Sequence, residues 1–97
     1  MSKQLKILAV CGMGVGTSML LKMQVIKALK SLQIDGTVDL ADISTAKGLA
    51  IHADLVVTSN ELADRIGNID TPIVTVSNFM DLKALEQGLR DAIEEME

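Results

Sequence analysis

Aromatic residues are almost missing from this chain. Its 97 residues include one phenylalanine, Phe79, and no tyrosine or tryptophan. Proteins that read single-stranded nucleic acid stack bases on aromatic rings, so that class loses ground at once. Positive charge is also scarce. Nine Lys and Arg face thirteen Asp and Glu, for a net charge of −4, whereas a phosphate backbone calls for a basic surface. No nucleic-acid partner is expected. No apolar run approaches the ~18–20 residues of a membrane span. The opening Met1-Ser2-Lys3-Gln4-Leu5-Lys6 leads into a short apolar stretch that ends in glycines rather than a small-residue cleavage site, which argues against a secretory signal. Cysteine occurs once, as Cys11. A lone cysteine forms no internal disulfide and builds no cysteine-based zinc site. The expectation is a chain without metal or other cofactor, working in a reducing cytoplasm.

What remains is ordinary globular material. Apolar residues make up 48% and charged residues 23%, which suits one folded domain over residues 1–97. Strand and helix patterns alternate along the chain. Leu5–Val10 is short and apolar and ends at Cys11-Gly12, as a buried strand does. Thr17–Leu32 places Leu21, Val25, Ala28, Leu29 and Leu32 on one side and Lys22, Lys27 and Lys30 toward the other, which is a helix. Gly36 is expected to break the chain before a second strand, Thr37–Asp42. A short helix follows from Ser44 to about Ile51, with Ser44 or Thr45 as its N-cap. Asp54–Thr58 is a third strand, and Ser59–Ile66 a third helix closed by Gly67. Pro72–Val76 is a fourth strand, with proline where a strand tolerates it. Asp81–Met96 is a last helix with Leu82, Leu85, Leu89, Ile93 and Met96 on one stripe and Glu86 and Arg90 spaced to pair.

Four strands each followed by a helix predict a parallel sheet with helices on both faces. With right-handed crossovers, the expected architecture is an α/β three-layer sandwich of flavodoxin-like or Rossmann-like type, with strand order 2-1-3-4. In such sheets ligands bind beyond the carboxyl ends of the strands, where successive connections diverge. Here that point lies between the first and third strands, next to Cys11.

The segment there is Cys11-Gly12-Met13-Gly14-Val15-Gly16-Thr17-Ser18, with three glycines in five positions. Glycines let backbone N–H groups line a small bowl, and a helix N-terminus follows at Thr17 and Ser18. Together these suit a phosphate-sized anion. The same donors favour a thiolate, so nucleophile and anion cradle in one loop suggest a phosphocysteine intermediate. Thr17 and Ser18 could equally serve as plain helix caps. Thr58, Ser59 and Asn60 follow the third strand and are expected to flank the bowl.

Rival readings fail on particular residues. A Walker loop needs lysine before its Ser/Thr, and Gly16 precedes Thr17. The dinucleotide fingerprint needs glycine or alanine where Thr17 stands. A cysteine phosphatase of the C-x5-R type needs arginine at that same position. Without a guanidinium, nothing cationic in the loop steadies the phosphoryl oxygens during hydrolysis, so relay fits better than hydrolysis. A dithiol redox cycle lacks its second cysteine. A pure anion-binding module would have no need of Cys11. His52 lies just before the third strand, at the amino edge of the sheet and about one strand length (~17 Å) from Cys11, and reads as a surface histidine. Met13, Met19 and Met23 read as gap-filling or partner-contact residues.

The loop Cys-Gly-x-Gly-x-Gly-Thr-Ser after the first strand resembles the IIB component of the bacterial phosphoenolpyruvate-dependent sugar phosphotransferase system. The ascorbate/galactitol-like subtype is closest, and Cys11-Gly12-Met13-Gly14 leans toward the ascorbate branch. The resemblance covers essentially the whole chain in length and βα order. The stretches Ala46-Lys47-Gly48 and Asp54-Leu55-Val56-Val57-Thr58-Ser59 add weaker support. It implies that Cys11 takes phosphate from a histidine on a IIA partner and passes it to a sugar carried by a membrane IIC partner, at the inner face of the membrane.

The electrostatic part of this reading is open to direct test. Backbone donors and a helix start favour the anion, so Cys11 is expected to titrate below the usual ~8.5 of a cysteine. Thiolate absorbance against pH measures the midpoint; an unshifted or raised value removes this half of the argument.

Overall fold

The structure, a computed structural model, describes residues 5–10, 15–67, 69–76 and 81–96. Eight elements follow in strict alternation: β1 (Leu5–Val10), α1 (Val15–Ser31), β2 (Gly36–Ala41), α2 (Ala46–Ala50), β3 (Leu55–Ser59), α3 (Asn60–Ile66), β4 (Ile73–Val76) and α4 (Leu82–Met96). The strands form one sheet in the order β2-β1-β3-β4, and every pairing is parallel. The expected α/β architecture and strand order are therefore those observed.

Burial explains why β1 and β3 sit in the middle. Ile7, Leu8, Ala9 and Val10 are all buried, as are Leu55, Val56, Val57 and Thr58. A strand with no polar face must be covered on both sides, which requires helices on both. The alternate positions separate cleanly. Ile7, Ala9, Leu55 and Val57 join Leu21, Val25, Ala28 and Leu29 of α1 and Leu85 and Leu89 of α4 in the larger core. Leu8, Val10 and Val56 point the other way, against Ala46 and Ala50 of α2 and Ile66 of α3. Truncating Leu85 or Leu89, each fully buried, to alanine would cost about 2–5 kcal/mol. The outer strands alternate instead, with Thr37 and Asp39 of β2 and Thr75 of β4 exposed.

Several boundaries have different causes from those the sequence suggested. Helix α1 is stopped at Gln33, before Gly36 is reached. Gln33 takes a left-handed φ of 60°, and its N–H and that of Ile34 donate to the carbonyls of Lys30 and Leu29. This is a Schellman-type end built without glycine. Gly36 is instead the first residue of β2. A Cβ there would stand 2.9 Å from the Leu5 carbonyl oxygen, so glycine permits close approach of the edge strand rather than a break. The N-cap of α2 is Thr45, but its side chain makes no capping bond; Asp42 accepts from the Thr45 N–H instead. Ser59 and Asp81 cap α3 and α4 from just outside, accepting from the N–H groups of Leu62 and Ala84, and Gly67 closes α3 with φ 77°. Pro72 lies one residue before β4, where its carbonyl accepts from Val56 N–H. On α4, Glu86 accepts from Ser31 Oγ at 3.0 Å, and Arg90 pairs with Glu94 at 3.8 Å rather than with Glu86.

Two glycines in helices predict opposite effects of one substitution. A Cβ on Gly48 in α2 meets nothing within 4 Å, while one on Gly88 in α4 falls 2.8 Å from Val74 Cγ1. Gly48→Ala is expected to stabilise by about 0.5–1 kcal/mol through helix propensity. Gly88→Ala is expected to destabilise, because overpacking against a buried, β-branched valine costs about 1–3 kcal/mol and outweighs the same gain. Urea unfolding of both variants measures the two signs; equal shifts in one direction contradict this packing.

Candidate functional site at the carboxyl edge of the sheet

The chain leaves β1 toward β2 on one side and later returns to place β3 on the other. The two connections diverge at the carboxyl ends of β1 and β3, which is the switch point where this architecture holds ligands. Val10 ends β1 and Val15 opens α1. Cys11, Gly12, Met13 and Gly14 connect them in sequence and lie outside the described residues. Val15, Gly16, Thr17 and Ser18 form the first turn of α1, which starts two residues before the helix start expected at Thr17. No acidic residue stands in that turn of the 17-residue helix, so its own sequence places no carboxylate at its positive end.

Thr58, Ser59 and Asn60 lie at the carboxyl end of β3 and the start of α3. Thr58 is fully buried. Its hydroxyl donates to the Val10 carbonyl at 2.9 Å, tying the ends of β1 and β3 together. Ser59 is half-buried and caps α3 at 3.3 Å. Asn60 is exposed at the first position of that helix.

Asp42, expected as the last residue of the second strand, follows β2 (Gly36–Ala41) on the same edge. It organises a turn instead. Its Oδ1 accepts from Ser44 Oγ at 2.7 Å, from Thr45 N–H at 3.0 Å and from Thr45 Oγ1 at 3.0 Å. The Ser44 hydroxyl first, then the hydroxyl and the backbone N–H of Thr45, hold its carboxyl below the ordinary 3.8. The signal for this was the run Asp42-Ile43-Ser44-Thr45, whose spacing suits a side chain bonding two and three residues ahead.

Other candidates lie elsewhere. His52 is exposed in the turn before β3, at the amino edge, where Asp54 N–H bonds the Lys6 carbonyl and Lys6 N–H bonds Asp54 Oδ2. It borders a groove of about 430 Å³ over β1 and β2, lined also by Lys6, Leu8, Asp39 and Leu49. Met19 and Met23, 46% and 52% exposed on α1, do not fill gaps in the core. Among the described residues, no three His, Cys, Asp or Glu side chains gather as a metal site would require, and no helix is long and apolar enough to cross a membrane.

Fold and edge geometry define the class: a small doubly wound α/β protein whose candidate site is the glycine loop after its first strand. Residues 6–91 match the family described as the lactose/cellobiose-specific IIB subunit of the phosphotransferase system (PTS), and the chain belongs to that family. It is similar to the ascorbate-specific PTS EIIB component of Mycoplasma pneumoniae, at 37% identity over 89 residues, 91% of this chain and 94% of the relative. The component of the same name from Salmonella typhimurium is 33% identical over 91 residues, covering 93% and 90%. Two solved structures share the fold. One is the lactose-specific IIB component domain from Streptococcus pneumoniae, with TM-score 0.60 and 19% identity over 98% of this chain and 100% of that one. The other is the cellobiose-specific IIB component from Borrelia burgdorferi, with TM-score 0.61 and 21% identity over 96% and 91%. IIB components are sugar phosphotransferases, and this chain has that function; the family works with IIA and IIC partners.

The Asp42 turn makes a prediction of its own. The carboxyl is expected to titrate below 3.8, with the Ser44 hydroxyl the largest cause. Because the folded value is depressed, the turn's contribution is present above the unfolded pKa and lost as pH falls through the folded one. Ser44→Ala is expected to move the midpoint back toward 3.8, read by NMR titration of the side-chain carbonyl; an unmoved midpoint contradicts the assignment.

Proposed function

We propose that Cys11 is the phosphoryl acceptor and that the sugar is L-ascorbate. The sugar rests on the names of the relatives that match over most of the chain. The site rests on one observation above others: the only cysteine in the chain follows the last residue of β1, at the switch point, with a helix starting a few residues on. The phosphate-binding residues in this reading are Gly12, Met13, Gly14, Val15, Gly16, Thr17 and Ser18.

The transfer proceeds in two displacements. The Cys11 thiolate attacks the phosphorus of a phosphohistidine on the IIA partner; the S–P bond forms as the N–P bond breaks, and the imidazole keeps the electron pair. A sugar hydroxyl presented by the membrane IIC partner then attacks the phosphocysteine. The new O–P bond forms as S–P breaks, the thiolate leaves, and the hydroxyl proton goes to a base on the partner or to water. Backbone N–H groups and the α1 terminus offset charge on the phosphoryl oxygens at each step. With threonine at the position where C-x5-R phosphatases carry arginine, water is a poor acceptor. Arginine is worth ~10³–10⁵-fold in phosphoryl transfer where it has been removed or supplied. The protein acts in the cytoplasm, transiently against the inner face of the membrane.

With phosphoenolpyruvate and the upstream carriers, the protein is expected to take up one phosphoryl group on Cys11. Cys11→Ser is expected to lose transfer, since a hydroxyl without an adjacent base is a poor nucleophile. Full labelling of Cys11→Ala overturns the assignment. The isolated chain is expected to turn over p-nitrophenyl phosphate negligibly, and robust hydrolysis would favour a phosphatase instead.

A further inference from the structure

Among the described residues, Thr58 is the one buried side chain that carries a hydroxyl, and it follows Leu55, Val56 and Val57 in β3. Its single O–H proton is directed at the Val10 carbonyl, 2.9 Å away. A hydroxyl has only one proton to donate, so in this arrangement it has none for a phosphoryl oxygen. Backbone pairing between β1 and β3 runs from Ile7↔Leu55 to Ala9↔Val57. The Thr58 side chain adds a bond one residue further along β1, at its last residue. Meanwhile the Thr58 backbone is held from the other side by pairing with Thr75 of β4.

The carbonyl it holds belongs to the peptide unit that leads into Cys11. Peptide units are planar, so restraining the Val10 oxygen restrains the rotation of that whole unit. A bond accepted at the carbonyl also polarises the N–H of the same unit and makes it a better donor. Both effects act where the proposed nucleophile joins the sheet, and neither requires Thr58 to touch substrate.

We propose that Thr58 is a positioning residue for Cys11: through the Val10 carbonyl it fixes the peptide unit from which the thiol-bearing residue departs and thereby supports its thiolate. This rests on the reading of Cys11 as the phosphoryl acceptor. Valine in place of Thr58 keeps the branched shape and loses only the donor. Serine keeps the donor.

Iodoacetamide tests this on the intact chain, because Cys11 is its only cysteine and the thiolate is the form alkylated. Initial rates are followed by intact mass from pH 5 to 10 for the parent, Thr58→Val, Thr58→Ala and Thr58→Ser, with circular dichroism confirming the fold of each. Loss of the donor is expected to raise the alkylation midpoint, so that Thr58→Val and Thr58→Ala react roughly threefold or more slowly at pH 7. Thr58→Ser is expected to follow the parent. No phosphoryl donor is present, so this outcome is independent of whether Cys11 accepts phosphate, which the transfer assay on the parent decides separately. The proposal is overturned by a smaller change in both hydroxyl-free variants or by a Thr58→Ser profile displaced as far as theirs. It is equally overturned if neither hydroxyl-free chain folds, since the bond would then serve the sheet as a whole rather than Cys11.

Discussion

The constraint on which everything else depends is the burial of β1 and β3 on both faces. Neither Ile7-Leu8-Ala9-Val10 nor Leu55-Val56-Val57 offers a polar side to water. Each must be roofed above and below, and each backbone must be paired at both edges. Helices α1 and α4 cover one face and α2 and α3 the other. Parallel strands joined by such helices enforce crossovers, and crossovers in opposite directions from β1 create the divide at its carboxyl end. The location of the site is thus a consequence of how two apolar strands avoid water.

The same constraint limits which polar groups can be tolerated near the site. Thr58 continues the buried run of β3, and a hydroxyl there without a partner would carry a desolvation cost of about 1–3 kcal/mol. The Val10 carbonyl removes that cost. One hydrogen bond therefore satisfies a buried polar atom and joins the two strands that bracket the switch point. At the opposite edge the reciprocal bonds of Lys6 and Asp54 play a similar joining role in a solvated setting. Membership of the PTS IIB family gives this architecture its purpose.

Secondary structure was legible where periodicity was strong and turn chemistry conventional. The α1 stripe of Leu21, Val25, Ala28 and Leu29 and the α4 pair Leu85 and Leu89 are buried as their spacing predicted. Gly67 ends α3 as a glycine after a helix should. Three local readings changed, each for its own physical reason. Gln33 adopts a left-handed conformation that sequence assigns to glycine or asparagine, because the Ile34–Leu29 bond and the packing of Ile34 on the core hold it there. Gly36 looked like a breaker, yet its requirement comes from the Leu5 carbonyl on a neighbouring strand. Glu86 looked like a partner for Arg90, yet Ser31 on another helix takes it.

The sequence by itself determined the alternation of elements, the strand order, the family and the position of Cys11 after the first strand. The alternation and the place of Cys11 follow from apolar period and glycine spacing, the strand order from the handedness of crossovers, and the family from the likeness of the loop and of the whole chain to its relatives. Only the tertiary structure decided what Thr58, Asp42 and Gly36 are for. Their partners are the Val10 carbonyl forty-eight residues away, a turn whose hydroxyls converge on one carboxylate oxygen and a carbonyl on the adjacent strand. A residue type announces a hydrogen-bonding capacity or a small volume, but which group meets it depends on strand register and packing, and those are set only when the whole chain closes on its core.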